Sequence, residues 1–191
     1  PAPVPAAAAP ARPPARPPST AAPTPPTIDA ALTPAWHALT GIDRAGPDGR
    51  SIGTSFREGV ETTGVRVVVG ELPDAWAAYR VRDNTVTVNR AALGEDPRAL
   101  AAVLGHEITH ARQVAGGHGS KLDCVGMEVN AHAVEAIVWG TFWGGRGPAR
   151  TRLEQELNAV LGIFAAEGEP GLYKLVVDSQ GYQGQCQLWT P

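Results

Sequence analysis

From Ile28 onward the apolar positions change their spacing several times, and each change marks an element. IDAALTPAWHALTGI carries apolar residues at helical intervals, interrupted by Pro34. SFREGVETTG repeats that spacing in a second short helix and stops at Gly64. VRVVVGEL (65–72) is rich in β-branched residues and predicts a buried strand. In YRVRDNTVTVNR, Asp83-Asn84 predicts a turn, and TVTVN (Thr85–Asn89) alternates as a half-exposed strand. Asp96 before Pro97 has the form of a helix start, an N-cap followed by proline at the first helical position. That helix runs through RALAAVLGHEITHARQV to the pair Gly116-Gly117.

A short loop, HGSKLD, separates it from CVGMEVNAHAVEAIVWGTFW, a helix apolar on nearly every side. Gly140, Gly144, Gly145, Gly147 and Pro148 break the chain next. TRLEQELNAVLGIFAAEG predicts another long helix, and GLYKLVVDSQGYQGQCQLW has no dominant period. The sum is an α+β fold, mainly helical, with a small sheet ahead of the LGHEITHARQ helix. There is no internal repeat.

Residues 1–27 differ in kind. They are almost wholly Pro, Ala, Arg, Ser and Thr, cannot bury a core, and predict a disordered, polyproline-like linker ahead of one domain at 28–191. Such linkers often join a domain to a membrane anchor or cell wall, which points to export, and the start at Pro1 suggests a removed leader. The net charge of −3 argues against nucleic acid as a partner. No window has 18 uninterrupted apolar residues, so no transmembrane helix is expected. Cys124 and Cys186 have no zinc-type spacing, and in an exported protein they would form one disulfide.

The chemistry lies in HEITH. A period of 3.6 sets His106 and His110 side by side, one turn apart, so both imidazoles can reach one Zn²⁺. Glu107, about 100° round the helix, falls beside the metal, where a carboxylate can accept a proton from a water that zinc has activated. As a surface triplet the pattern fits poorly, because Ala101, Ala102, Val103, Leu104, Ile108 and Ala111 surround it with apolar side chains. A hydrolytic site needs a third protein ligand. Glu128, His132 and Glu135 on the next helix are spaced i, i+4 and i+7 and share one face. Asp123, His118 and His132 are the other candidates beside Glu128.

LGHEITHARQ followed by MEVNAHAVEA resembles the gluzincin branch of the zincin metallopeptidases, particularly small bacterial members. The likeness covers roughly a third of the chain, 79–142, and is sharp only at the two helices. It implies His106 and His110 as zinc ligands, Glu107 as general base and Glu128 as third ligand. It also implies that TVTVN is the strand edge along which an extended substrate lies. In thermolysin-like gluzincins an acid one turn past the third ligand orients a zinc histidine; here that position is His132, which opens roles for it as a supporting donor, a transition-state stabiliser or a ligand. Glu135 would support the site or face solvent. Tyr79, Tyr173 and Tyr182 are candidate oxyanion donors with no spacing to choose among them.

The expected function is a zinc-dependent peptidase acting on a peptide or protein, including a cell-wall peptide. The alternative is a non-catalytic domain stabilised by zinc that presents a partner-binding surface.

Overall fold

The computed structural model describes residues 27–46, 49–117 and 124–179. A 3-10 turn at Ala30–Leu32, capped by Asp29, leads into α1 (Thr33–Thr40). Pro34 begins this helix rather than interrupting it, since the first helical positions need no N–H donor. In α2 (Ile52–Thr63) the N-cap Ser51 accepts from the Thr54 amide, and Gly64 ends the helix in the left-handed region at φ 63°.

Three strands follow: β1 (Arg66–Gly70), β2 (Ala77–Arg80) and β3 (Thr85–Asn89). They lie in the order β1-β3-β2, with β3 parallel to β1 and antiparallel to β2. TVTVN is therefore the central strand, buried at Thr85, Val86, Thr87 and Val88. This corrects the half-exposed strand that alternation predicts. Both of its flanks are paired, and Arg66 covers Thr85 by donating from Nη2 to its hydroxyl at 2.9 Å. One of the two outer strands is β2, whose AAYR has no period to mark it.

The inner face of the sheet, with Val67, Val86, Val88 and Ala77, packs with α1 and α2 on α3 (Pro97–Ala115). Thirteen successive residues of α3, from Ala99 to Ala111, are buried, so this helix is the axis of the molecule. Its Asp96 cap holds Arg98 and receives Arg150 from the loop before α5 (Arg152–Glu167). Thr151 and Glu154 start α5 with a complete capping box. Between them in sequence lies α4 (Cys124–Trp143), the chief partner of α3. The unassigned tail contains α6 (Glu169–Asp178), which closes a second apolar cluster, Leu172 and Val176 against Val129 and Ala133 of α4.

The fold is thus α+β and mainly helical, with the small sheet ahead of the HEITH helix. No helix among the described residues is long and apolar enough to cross a membrane. Of the expected linker 1–27, all but Thr27 lies outside the described residues. Cys124 is buried at the head of α4, whereas Cys186 lies outside the described residues, and the expected disulfide with it.

Candidate metal centre

The sequence places His106 and His110 on one face of α3; the tertiary structure decides what that face meets. It meets α4, running antiparallel. Gln113, late in α3, bonds to Met127 and Asn130 early in α4, while Gly105 lies against Val138. A side chain at 105 would press within 3.3–3.4 Å of Phe56 and Val138, so glycine lets the helices come close beside the histidines.

At their contact, six ionisable side chains are buried together: His106, Glu107, His110, Glu128, His132 and Glu135. Nε2 of His106 lies 3.1 Å from Nε2 of His110. Oε2 of Glu128 lies 3.5 Å from each of these nitrogens. That Oε2 is buried and has no hydrogen-bond partner. A buried carboxylate oxygen left in that state costs stability unless a cation fills the space before it. His106, His110 and Glu128 could hold a metal ion.

Charge favours this. Burial works against the ionised form of Glu128, but the two imidazoles beside it more than offset that and hold its pKa below the usual carboxylate range. Burial also works against charge on His106, yet Glu128 and then Glu135 keep its pKa well above the ordinary value.

The second face of His106 turns to Glu135, with Nδ1 3.8 Å from Oε2. Nδ1 of His132 lies 2.8 Å from the same Oε2. Despite burial, His106 and His132 lower the pKa of Glu135 to about 2. This second group, His106, His132 and Glu135, could also hold a metal ion. Its contacts of 2.8 and 3.8 Å are less even than the first, and it shares His106. Glu135 is thus a buried member of the cluster, not a solvated one. The His132 ring meets the His106 ring edge to face, with centroids 4.6 Å apart.

Glu107 points to the sheet. Its Oε2 accepts the Tyr79 backbone N–H at 2.7 Å, so the edge strand β2, rather than TVTVN, borders the site. The Tyr79 hydroxyl lies 3.0 Å from Oδ1 of Asn84; burial, then the Asp83 charge, raises its pKa. Tyr173 is exposed on α6. Tyr182, Asp123 and His118 lie outside the described residues.

Two participants escape a reading of motifs. One is the main-chain amide of Tyr79, which no residue pattern marks. The other is Gln113, whose Oε1 lies 3.0 Å from Nδ1 of His110. Its position three residues past His110, on the same face, is the signal that was present.

Comparison of the chain with family models, with curated proteins and with solved structures finds no match.

Proposed function

We propose that this chain is a zinc-dependent peptidase. The observation that carries the reading is the triangle of His106 Nε2, His110 Nε2 and Glu128 Oε2, with sides of 3.1, 3.5 and 3.5 Å. Ligand atoms at zinc–nitrogen and zinc–oxygen distances of about 2.0–2.1 Å on a tetrahedron stand about 3.4 Å apart. Three donors thus stand at the spacing of three tetrahedral vertices, without rearrangement. Three protein ligands with a fourth position open is the donor set of hydrolytic rather than structural zinc.

Zinc, when bound, supplies a Lewis acid and makes water a nucleophile near neutral pH. The chain does the rest. Glu107 is next to the triangle in sequence but outside it, held by the Tyr79 amide through Oε2. Its Oε1 remains to accept the water proton and pass it to the leaving amine. The outer edge of β2, apart from the Tyr79 amide that Glu107 takes, would offer main-chain groups to an extended peptide running past Glu107. Glu135, bonded to His132, places its negative charge behind His106, 3.8 Å from Nδ1.

The reading includes export, since a Pro/Ala-rich arm suits a domain held away from an anchor or cell wall; a Cys124–Cys186 disulfide would then be expected. The test is Glu107→Gln. The parent should bind one zinc per chain and cleave an unfolded protein substrate, and the variant should keep its zinc and lose cleavage by about 100-fold or more. Cleavage by the variant at the parent's rate would overturn the mechanism. A parent that binds zinc and cleaves nothing would favour the non-catalytic, zinc-stabilised domain.

A further inference from the structure

We infer that Gln113 is a positioning residue: it sets the tautomer of His110, and takes its own orientation from α4, the helix that carries Glu128. The metal-binding part of this inference rests on the proposed function; the tautomer part does not.

The argument begins with one unambiguous acceptor. The main-chain oxygen of Met127 lies 3.0 Å from Nε2 of Gln113. A carbonyl can only accept, so the NH₂ end of the Gln113 amide must face it. The same NH₂ lies 3.0 Å from Oδ1 of Asn130. Its two hydrogens thus have two acceptors, both on α4. Oε1 then faces the other way, 3.0 Å from Nδ1 of His110. Oε1 is only an acceptor, so Nδ1 of His110 must carry a hydrogen. In a neutral imidazole that leaves the lone pair on Nε2, the nitrogen that faces His106 and Glu128.

Metal-ligating histidines almost always have their other nitrogen held in this way. Here the instruction originates on a different helix. Docking of α4 brings Glu128 to the site and, through Met127 and Gln113, turns the His110 lone pair towards it. Near substitutes each lose part of this bridge. Glutamate has no hydrogens for Met127, lysine has no acceptor for His110, and asparagine is one methylene shorter.

Two variants separate positioning from simple helix contact. Gln113→Glu keeps an acceptor for His110 but loses the donors to α4. Gln113→Met keeps the length and loses both. Long-range ¹H–¹⁵N spectra of the metal-free proteins report the tautomer, chelator competition with Zn²⁺ reports affinity, and thermal melts of the metal-free proteins report stability. The parent and Gln113→Glu should show His110 with its hydrogen on Nδ1. Gln113→Met should shift towards the Nε2–H form and bind zinc about 10- to 100-fold more weakly. Both variants should melt lower than the parent. A purely structural glutamine would lower the melts alone, leaving tautomer and affinity unmoved, and that result overturns the inference. So does a parent whose His110 carries its hydrogen on Nε2. If the parent binds no zinc, the proposed function fails, while its tautomer still decides for or against Gln113.

Discussion

Replacing Glu128 with glutamine keeps the side chain's size and removes its charge, which makes it a direct probe of the triangle. As a ligand Glu128 would contribute one of three donors, 3.5 Å from both imidazole nitrogens. Four-ligand structural zinc sites bind with about 10–16 kcal/mol, so one ligand is worth about 3–4 kcal/mol, or roughly 100- to 1000-fold in affinity. Suppose free zinc stands at about 100 times the parent's Kd. Binding then stabilises the parent by about 2.7 kcal/mol. In the variant the same zinc is at or below Kd, and the gain falls to about 0.4 kcal/mol or less. For a domain of this size each kcal/mol moves Tm by about 2–4 °C. The parent should therefore melt about 5–11 °C higher in zinc than in chelator, and Glu128→Gln only about 1 °C higher. Differential scanning fluorimetry of each protein with and without zinc measures this, and the comparison within each protein cancels any effect on the metal-free fold. Equal zinc-induced shifts in the parent and Glu128→Gln would refute Glu128 as a ligand. A loss of the shift in Asp123→Ala instead would transfer the role to Asp123.

Three further outcomes test other parts of the molecule. Asp96 caps α3, and its hydrogen bonds to Arg98, against a burial cost, lower its pKa from 3.8 to about 2. Because the folded value lies below the unfolded one, its contribution is present above about pH 4 and disappears as pH falls towards 2. Asp96→Ala should cost about 1 kcal/mol in urea denaturation at pH 7, with a clearly smaller gap at pH 2.5; an equal gap at both values would exclude the charged cap. Gly53→Ala improves helix propensity by about 1 kcal/mol, yet its methyl would stand 2.2 Å from the Thr40 carbonyl oxygen. Forcing that backbone apart costs about 1–3 kcal/mol, so net destabilisation is expected in the same assay, and a gain in stability would contradict the close approach. For the cysteines, thiol titration in denaturant should find none before reduction and two after; two before reduction would rule out the disulfide.

What the chain's local pattern determined is considerable, because helical geometry is local. The period of 3.6 alone brings His106 beside His110, sets Glu107 off that line and lines up Glu128, His132 and Glu135. The Asp96-Pro97 start of α3 is legible for the same reason, since a cap acts over two or three residues. Strand positions were less legible. TVTVN is rich in β-branched residues and forms a strand, but its place at the centre depends on partners 19 residues upstream and on a β2 that carries no pattern of its own.

The candidate site shows the same division more sharply. Each helix by itself holds a row of polar groups whose partners it cannot name. Only the antiparallel docking of α3 on α4 puts Glu128 before both histidines, turns Glu135 inward behind His106 and sets the Gln113 amide between His110 and Met127. These contacts span 14 residues or more of sequence, apart from the link between Gln113 and His110. Sequence spacing within one helix can say which groups share a face. What that face meets is decided by which apolar surfaces are buried against each other, and that is a property of the whole fold.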